Sequence, residues 1–254
     1  MLSPHIYGPI QSRRLGLSLG VNVLPADGKI CTFDCAYCEC GWNAHTHTKT
    51  PFPCATHILE QLEQSLTNIK RQGIPLQSIT FSGNGEPTLH PTFNLIIKET
   101  LALRNNIVPN AQVTVLTNGT TLSDKQVQDA FASIDNPVIK IDSAIHTTAK
   151  LIDAPPKTYS IENQITLLKK LSMPFTLQTM FLKGHIQGQP IDTTSPDEVH
   201  AYIELVNMTK PTCVMLYTLD RPTPCTTIIK IEQAILENIA RKIQTLNIDT
   251  IVAG

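Results

Sequence analysis

The sequence predicts an α/β fold in which parallel strands alternate with helices. Short runs of β-branched and apolar residues recur along the chain, and segments with apolar residues at helical spacing lie between them. Strands that alternate with helices in this way are typical of βα units, whose strands pair in parallel. Six such units do not complete a closed barrel of eight. The chain has 254 residues, and we expect residues 1–254 to form a single domain.

Apolar runs and helical spacing define the elements in order. Seven strands are predicted, at Gly20–Leu24, Ser78–Ser82, Gln112–Thr117, Val138–Asp142, Phe175–Phe181, Val214–Thr218 and, more weakly, Thr250–Ala253. Six helices are predicted between them, at Thr56–Gln72, Pro91–Leu103, Asp124–Ile134, Ser160–Leu171, Pro196–Val206 and Ile231–Leu246. Ser123-Asp124, Ser160 and Ser195 offer side chains that can accept hydrogen bonds from the free N–H groups at helix starts. The polar stretches Gly41–Pro53 and Gly184–Pro196 are predicted to be loops.

Composition limits the classes of partner and compartment. Net charge is -1, so no overall positive field favours binding to nucleic acid. The first residues lack a basic segment followed by an apolar run, and no apolar stretch reaches the roughly 18 residues of a membrane span. We therefore expect neither a signal peptide nor a membrane segment. Thiolate-bound clusters persist in a reducing compartment, and a cytoplasmic location is the expectation.

Three cysteines follow the first predicted strand closely. They are Cys31, Cys35 and Cys38, in the run CTFDCAYC. Three thiolates on one loop can hold three irons of a [4Fe–4S] cube and leave the fourth iron open to a ligand. A zinc knuckle, a disulfide loop and a chance pattern are the alternatives. Zinc usually takes two pairs of ligands, and no second C-x2-C or H-x3-H pair follows at the usual spacing.

The C-x3-C-x2-C spacing, with Tyr37 before the last cysteine, resembles the cluster loop of the radical S-adenosylmethionine (SAM) enzymes. The resemblance implies that the three cysteines ligate a [4Fe–4S] cluster and that the amino and carboxylate groups of SAM chelate its open iron. It also implies reductive cleavage of SAM to a 5′-deoxyadenosyl radical that abstracts hydrogen from a substrate. The fold it implies is a partial (β/α)6 TIM-like barrel with the iron-sulfur cluster loop after the first strand.

A glycine-rich segment at the end of the second predicted strand extends this resemblance. It reads Gly83-Asn84-Gly85-Glu86-Pro87. Radical SAM enzymes carry a Gly-Gly-Glu-Pro segment at this place, whose backbone and glutamate meet the amino group of SAM. This chain departs from that form at one residue, and the resemblance implies Gly83, Asn84, Gly85 and Glu86 as cofactor contacts. A plain glycine-rich turn is the alternative.

Further candidates lie at the ends of the third and fourth predicted strands, because ligands collect at the carboxyl ends of parallel strands. Asn118 stands in a Thr-Asn-Gly turn, where similar enzymes place a side chain near SAM; an ordinary turn is the alternative. Asp142 resembles the residue that lies near the SAM ribose. Alternation puts it on the same face as Lys140, so a salt bridge with Lys140 or with Arg221 is the other interpretation.

The fifth and sixth predicted strands supply the remaining candidates. Gln178 is predicted to point toward SAM or substrate. Tyr217 and Arg221 lie at the end of the sixth strand, where a substrate would bind, and arginine suits bidentate contact with anionic groups. An ion pair between Asp220 and Arg221 is the alternative. We group Gln178, Tyr217 and Arg221 with the candidate cofactor contacts.

The substrate is less constrained than the chemistry. The entry segment at residues 8–20 and the run YTLDRP are similar to a radical SAM subgroup distantly akin to the wybutosine-forming tRNA enzymes. The resemblance implies a reductant such as flavodoxin or ferredoxin. It leaves open whether the substrate is RNA, a small molecule or a peptide, or whether the chain activates a partner enzyme by glycyl-radical formation. Oligomeric state is left open.

A function of another class is a non-catalytic metal-binding or redox-sensing module. In that case Cys40 joins the three cysteines as a fourth ligand of zinc or of an inert cluster. A second metal centre that uses Cys40, Cys54 and Cys225 is a further alternative, although their spacing matches no known motif. The catalytic interpretation requires instead that three cysteines alone hold the cluster.

Overall fold

The structure is a computed structural model that describes residues 2–46 and 48–254. Its contacts divide the chain into two compact units. The first unit comprises Met1–Cys31, Asn43–Thr117 and Thr121–Pro137. The second unit comprises Thr32–Trp42, Asn118–Thr120 and Val138–Gly254.

Strands and helices alternate along most of the chain. Within the described residues the strands are β1 (Ile6–Ser12), β2 (Gly16–Val21), β3 (Ser78–Phe81), β4 (Gln112–Thr117), β5 (Asn136–Lys140), β6 (Thr176–Ile186), β7 (Gln189–Asp192), β8 (Cys213–Thr218), β9 (Ile228–Lys230) and β10 (Asp249–Ala253). The α-helices of the same residues are α1 (Ala55–Arg71), α2 (Phe93–Ile107), α3 (Lys125–Ser133), α4 (His146–Asp153), α5 (Ile161–Leu168), α6 (Pro196–Thr209) and α7 (Gln233–Gln244). In the described part of the chain, no helix has the length and apolar character needed to cross a membrane.

The first unit is built on strands β1 to β4. β1 and β2 form an antiparallel hairpin, and β2, β3 and β4 then pair in parallel. Helix α1 buries the apolar stripe that its sequence carries at helical spacing, namely Ile58, Leu62, Leu66 and Ile69. The stripe is therefore core packing.

Buried hydroxyl groups link the parallel strands of this first unit. The Ser18 and Thr80 hydroxyls lie 2.7 Å apart, and those of Ser78 and Thr80 lie 2.9 Å apart. Ser78 Oγ donates to Thr114 Oγ1 at 3.0 Å. All four side chains are buried. We call this set the hydroxyl ladder; its members satisfy one another in a region closed to solvent.

The second unit is built on strands β5, β6, β8 and β10, which pair in parallel in that order. The second half of β6 also pairs antiparallel with β7 and with β9. Helix α6 covers one face of this sheet, because Tyr202 lies 2.5 Å from the Thr179 hydroxyl and packs edge-on against Phe181. That face is apolar and closed.

Several predicted elements are confirmed. β4 has the predicted bounds, and each of the three predicted capping sites caps a helix, with Asp124 rather than Ser123 as the cap at the first of them. Asp124 accepts from Gln126 N at 2.8 Å, Ser160 from Asn163 N at 3.2 Å, and Ser195 from Glu198 N at 3.5 Å. These local signals hold because each cap needs only a residue within one turn of itself.

Other elements differ from the predictions. The stretch Gly184–Pro196 is not a simple loop, because β6 continues to Ile186 and turns back into β7. The turn is made at Gln187 and Gly188, both with positive φ. Strands β1 and β9 and helix α4 were not predicted. β1 contains Gly8 and Pro9, and α4 is short and polar, so neither shows a strong periodic pattern.

Candidate functional site

In the first unit, the residue before Cys31 is fixed to the glycine-rich segment. Ile30 N donates to Asn84 O at 2.9 Å, and Glu86 N donates to Ile30 O at 2.9 Å. Gly85 lies between these two bonds with a φ of 132°, and a Cβ on it would lie 1.8 Å from Ile30 O. The start of the cysteine loop and the glycine-rich segment can approach this closely because residue 85 is glycine.

Replacing Gly85 with alanine should therefore destabilise the first unit. We expect a loss of at least ~2 kcal/mol, because a side chain with positive φ adds strain to the collision with a main-chain oxygen. Gly73→Ala is the matched control, since Gly73 also has a positive φ but a Cβ there would meet nothing within 4 Å. Urea unfolding of the two variants measures the difference. Equal losses would show that the approach to Ile30 contributes nothing.

Glu86 is buried and its carboxylate is held from two directions. Its Oε1 accepts from Thr88 N at 3.2 Å, from Thr88 Oγ1 at 2.6 Å and from Thr117 Oγ1 at 2.7 Å. Thr117 is the last residue of β4, so the end of that strand orients the carboxylate. A buried carboxylate is costly unless it is well bonded, and an orientated one suits an ammonium group of a ligand.

Gly83 and Asn84, the two residues before Gly85, contact other residues of the first unit. The Asn84 side chain is fully buried; its Nδ2 donates to Ser3 O and Pro25 O at 2.9 and 2.8 Å, and its Oδ1 accepts from Ser3 N at 2.7 Å. A Cβ on Gly83 would lie 2.7 Å from that of Asn22. The structure thus gives Asn84 an anchoring role for the N-terminal segment, and its contact with a cofactor stays a prediction.

In the second unit, backbone hydrogen bonds hold the cysteine loop at residues 32–38. Asp34 N donates to Asp153 O and Ala36 N to Ile152 O, both at 2.8 Å. Both acceptors belong to the last turn of α4, whose carbonyls have no partner within the helix. Cys225 N donates to Ala36 O at 3.2 Å. Elements that are distant in the sequence therefore fix the loop.

Cys35 and Cys38 are joined by a tight turn, in which Cys38 N donates to Cys35 O at 3.0 Å. Cys35 is buried and Cys38 is partly exposed. No disulfide joins the cysteines among the described residues. Within the same residues, no group of three His, Cys, Asp or Glu side chains is arranged to hold a metal ion. The donor set nevertheless fits an iron-sulfur cluster, since three cysteines that form no disulfide within the described residues lie on one short loop.

Tyr37, between those two cysteines, is anchored to a buried ion cluster. Its hydroxyl donates to Asp142 Oδ2 at 2.5 Å. Lys140 Nζ also donates to Asp142 Oδ2, at 2.8 Å, and bonds to Asp153 Oδ1. The same ammonium lies over the rings of Phe33 and Tyr37, 4.9 and 5.5 Å from their centres. One lysine thus joins β5, α4 and the cysteine loop.

The electrostatics of this cluster follow from its burial. Burial by itself lowers the pKa of Lys140, but the carboxylates of Asp142 and Asp153 outweigh it and hold the pKa well above its usual range. Burial raises the pKa of Asp153 to about 7, against the opposing effect of the lysine. The pKa of Tyr37 is also raised well above its usual range, first by burial and then by Asp142. Tyr37 therefore keeps its proton and remains a donor.

Asn118 lies beside the start of the cysteine loop. Its Nδ2 donates to Thr32 Oγ1 at 2.8 Å, and its Oδ1 accepts from Thr120 N and Oγ1 at 3.0 and 2.8 Å. Asn118 is therefore a structural part of this turn, and its contact with SAM stays a prediction.

Three candidates from the last predicted strands also have partners within the second unit. Gln178 Nε2 donates to Tyr217 Oη at 3.2 Å. Arg221 pairs with Glu39 at 2.7 Å, and the predicted ion pair of Arg221 with Asp220 stays a prediction. For Asp142, the structure shows the predicted alternative of an ion pair with Lys140, and contact with the ribose stays a prediction.

Sequence reasoning missed Asp153 and the pair Thr88 and Thr117. Asp153 was missed because α4 itself was not predicted. An acidic residue at the end of a short helix cannot be recognised as part of an ion pair when its partner, Lys140, lies on a strand elsewhere in the sequence. Thr88 and Thr117 lie at the ends of the glycine-rich segment and of β4, and polar residues directly after or at the end of parallel strands were the available signal.

A model of the radical SAM superfamily matches residues 27–212. A UPF0026 protein of Synechocystis sp. is 31% identical over 226 residues, which are 87% of this chain and 77% of that protein. A protein of Brachyspira hyodysenteriae named GTPase Obg is 30% identical over 223 residues, which are 86% of this chain but 30% of that protein.

Solved structures share the fold at low identity. A radical SAM methyltransferase from Sphaerobacter thermophilus gives a TM-score of 0.70 at 15% identity, with 92% of this chain and 65% of that chain covered. Streptococcus suis SuiB bound to S-adenosylmethionine gives 0.65 at 16% identity, with 92% and 50% covered. These likenesses confirm the predicted fold class, the partial (β/α)6 TIM-like barrel. The chain spans half to two thirds of the length of these solved chains.

Proposed function

Because this chain belongs to the radical SAM superfamily, we propose that it is an enzyme that cleaves SAM reductively, with Cys31, Cys35 and Cys38 as ligands of a [4Fe–4S] cluster. Proteins of this superfamily bind such a cluster and SAM. The observation that carries the proposal is the family match over residues 27–212, which contains all three cysteines and the glycine-rich segment. We propose that the two units together form the single core domain expected from the sequence.

Within this proposal the residues of the first unit bind the amino end of SAM. Glu86 would accept a hydrogen bond from the ammonium group of SAM. The hydroxyls of Thr88 and Thr117 would hold the Glu86 carboxylate in place. Gly83 and Gly85 would let the main chain approach the ligand closely. The bound cluster would supply the electron that splits SAM.

Residues of the second unit would hold the cysteine loop and the ribose. Tyr37 fixes the loop through Asp142. A carboxylate offers about four acceptor sites, so the Asp142 oxygens, which accept three bonds here, retain capacity for a ribose hydroxyl. Asn118 would lie at the other end of the loop, beside Thr32. Together these contacts would position SAM.

The substrate and the partners belong to the proposal as well. We propose a cytoplasmic enzyme that receives its electron from a flavodoxin or ferredoxin and acts on RNA, a peptide or a small molecule. Activation of a glycyl-radical enzyme is the second catalytic candidate. The subgroup akin to the wybutosine-forming enzymes stays a prediction.

The test is reconstitution of the full chain with iron and sulfide in the absence of oxygen, followed by reduction and addition of SAM. We expect 5′-deoxyadenosine to form, measured by chromatography. Protein with an intact cluster that neither binds nor cleaves SAM would contradict the proposal and favour the non-catalytic metal-binding or redox-sensing module.

A further inference from the structure

One face of the second unit's sheet carries polar side chains. Lys140 on β5, Gln178 on β6 and Met215 on β8 are neighbours in register, and Tyr217 follows two residues after Met215. Side chains of neighbouring residues in register project to the same side of a parallel sheet, as do residues two apart on one strand. We call the side that holds Lys140, Gln178 and Tyr217 the polar face. The other side holds Thr179 and is covered by α6.

Within the described residues, only one end of the Gln178 side-chain amide has a hydrogen-bond partner. Its side chain is 7% exposed, and Nε2 donates to Tyr217 Oη at 3.2 Å. Its Oε1 is buried and has no hydrogen-bond partner among residues 2–46 and 48–254.

An unsatisfied buried polar group destabilises a folded protein, so a binding partner is the simplest reason to keep one. Gln164 provides the contrast within the same unit. It is buried to a similar degree, 6% exposed, but its Nε2 bonds to Gly119 O at 3.4 Å. The amide of Gln164 is therefore structural. Gln178 differs, because within the described residues its Oε1 on the polar face accepts no hydrogen bond.

The charges on the polar face limit what can bind there. Its lysine, Lys140, is already paired with two carboxylates, those of Asp142 and Asp153. The group thus carries no excess positive charge to hold a phosphate or a carboxylate. A neutral amide and a phenol suit a neutral or cationic group that offers an N–H or O–H.

We propose that Gln178 determines substrate specificity by hydrogen-bonding an N–H or O–H of a neutral or cationic group on the substrate. This inference rests on the proposed function, which assigns the amino group of SAM to Glu86 and its ribose to Asp142. The Oε1 of Gln178 is then available to the substrate, which is the second ligand of the enzyme. Tyr217 orients the amide through its bond to Nε2.

The test compares Gln178→Met with Gln164→Met in the reconstituted full chain. Without SAM, we expect Gln178→Met to raise the Tm by about 2–4 °C, because removing the unsatisfied Oε1 stabilises the fold by more than losing the 3.2 Å hydrogen bond to Tyr217 destabilises it. Gln164→Met should lower the Tm, because it removes a bonded amide. Gln178→Leu is a second apolar variant. Equilibrium dialysis with SAM as the probe should give dissociation constants for wild type and Gln178→Met within about twofold.

Two results would overturn the inference. An unchanged or lower Tm in both Gln178 variants would make the amide structural. A loss of SAM affinity of about tenfold or more would make Gln178 a cofactor contact. Failure of the proposed function is distinguishable, because wild-type protein would then fail to bind SAM while the comparison of Tm values would still apply.

Discussion

Replacing Cys38 with alanine should remove the [4Fe–4S] cluster and abolish formation of 5′-deoxyadenosine. The proposed site has three protein ligands, so the loss of one leaves two irons without a protein ligand. A main-chain hydrogen bond of 3.0 Å also joins Cys38 to Cys35 and fixes the spacing of their two thiols. Iron and sulfide content, the visible absorption of the cluster and the yield of deoxyadenosine measure the outcome.

Cys40→Ala is the matched control for that experiment. Cys40 lies two residues further along the same loop and is also partly exposed. The catalytic proposal requires that this variant keep both the cluster and the activity. Loss of the bound metal from both variants to the same extent would instead support four protein ligands and a non-catalytic module.

Replacing Lys140 with methionine should destabilise the protein by about 3–5 kcal/mol, because it leaves two buried carboxylates without their cation. The Lys140 side chain is 13% exposed, and the side chains of Asp142 and Asp153 are 0% and 4% exposed. Lys125→Met is the control. Lys125 and Asp129 form an ion pair on the surface of α3, with side chains 78% and 61% exposed, and such pairs contribute about 0.5 kcal/mol or less. Urea unfolding measures both free energies.

The deficit in unfolding free energy that Lys140→Met causes, relative to wild type, should depend on pH. The pKa of Asp153 is raised to about 7 even with the lysine present, and loss of the cation should raise it further. A folded-state pKa above the unfolded value favours the folded state at low pH and loses that contribution as pH rises. The deficit relative to wild type should therefore be smaller at about pH 5.5 than at about pH 8. A deficit that grows on acidification would contradict the assigned ion cluster.

Local signals in the sequence were enough for much of the fold. The run at Gln112–Thr117 is β-branched and apolar and was predicted with its observed bounds, and the caps at Ser160 and Asp124 act within one turn. Helix α4 was missed because its eight residues have no strong pattern. The second half of β6 was missed because its partners, β7 and β9, have only four and three residues and carry no strong strand pattern.

The site was predictable where its residues follow one another and not where they meet across the chain. The cysteine spacing and the Gly83–Glu86 segment are local patterns. Alternation along one strand also placed Lys140 and Asp142 on one face, which the structure confirms. The partners Asp153 and Glu39 come from elsewhere in the sequence, and no spacing rule connects them to Lys140 or Arg221.

The hydroxyl ladder of the first unit should leave a trace in how related sequences diverge. If Ser78 alone became alanine, the hydroxyls of Thr80 and Thr114 would each lose a partner in a buried region. If all four positions became apolar together, no hydroxyl of the ladder would be left without its partner and the change would be nearly neutral. Relatives should therefore keep these positions polar as a set or replace them as a set. An alignment of relatives would show this as correlated substitution among Ser18, Ser78, Thr80 and Thr114.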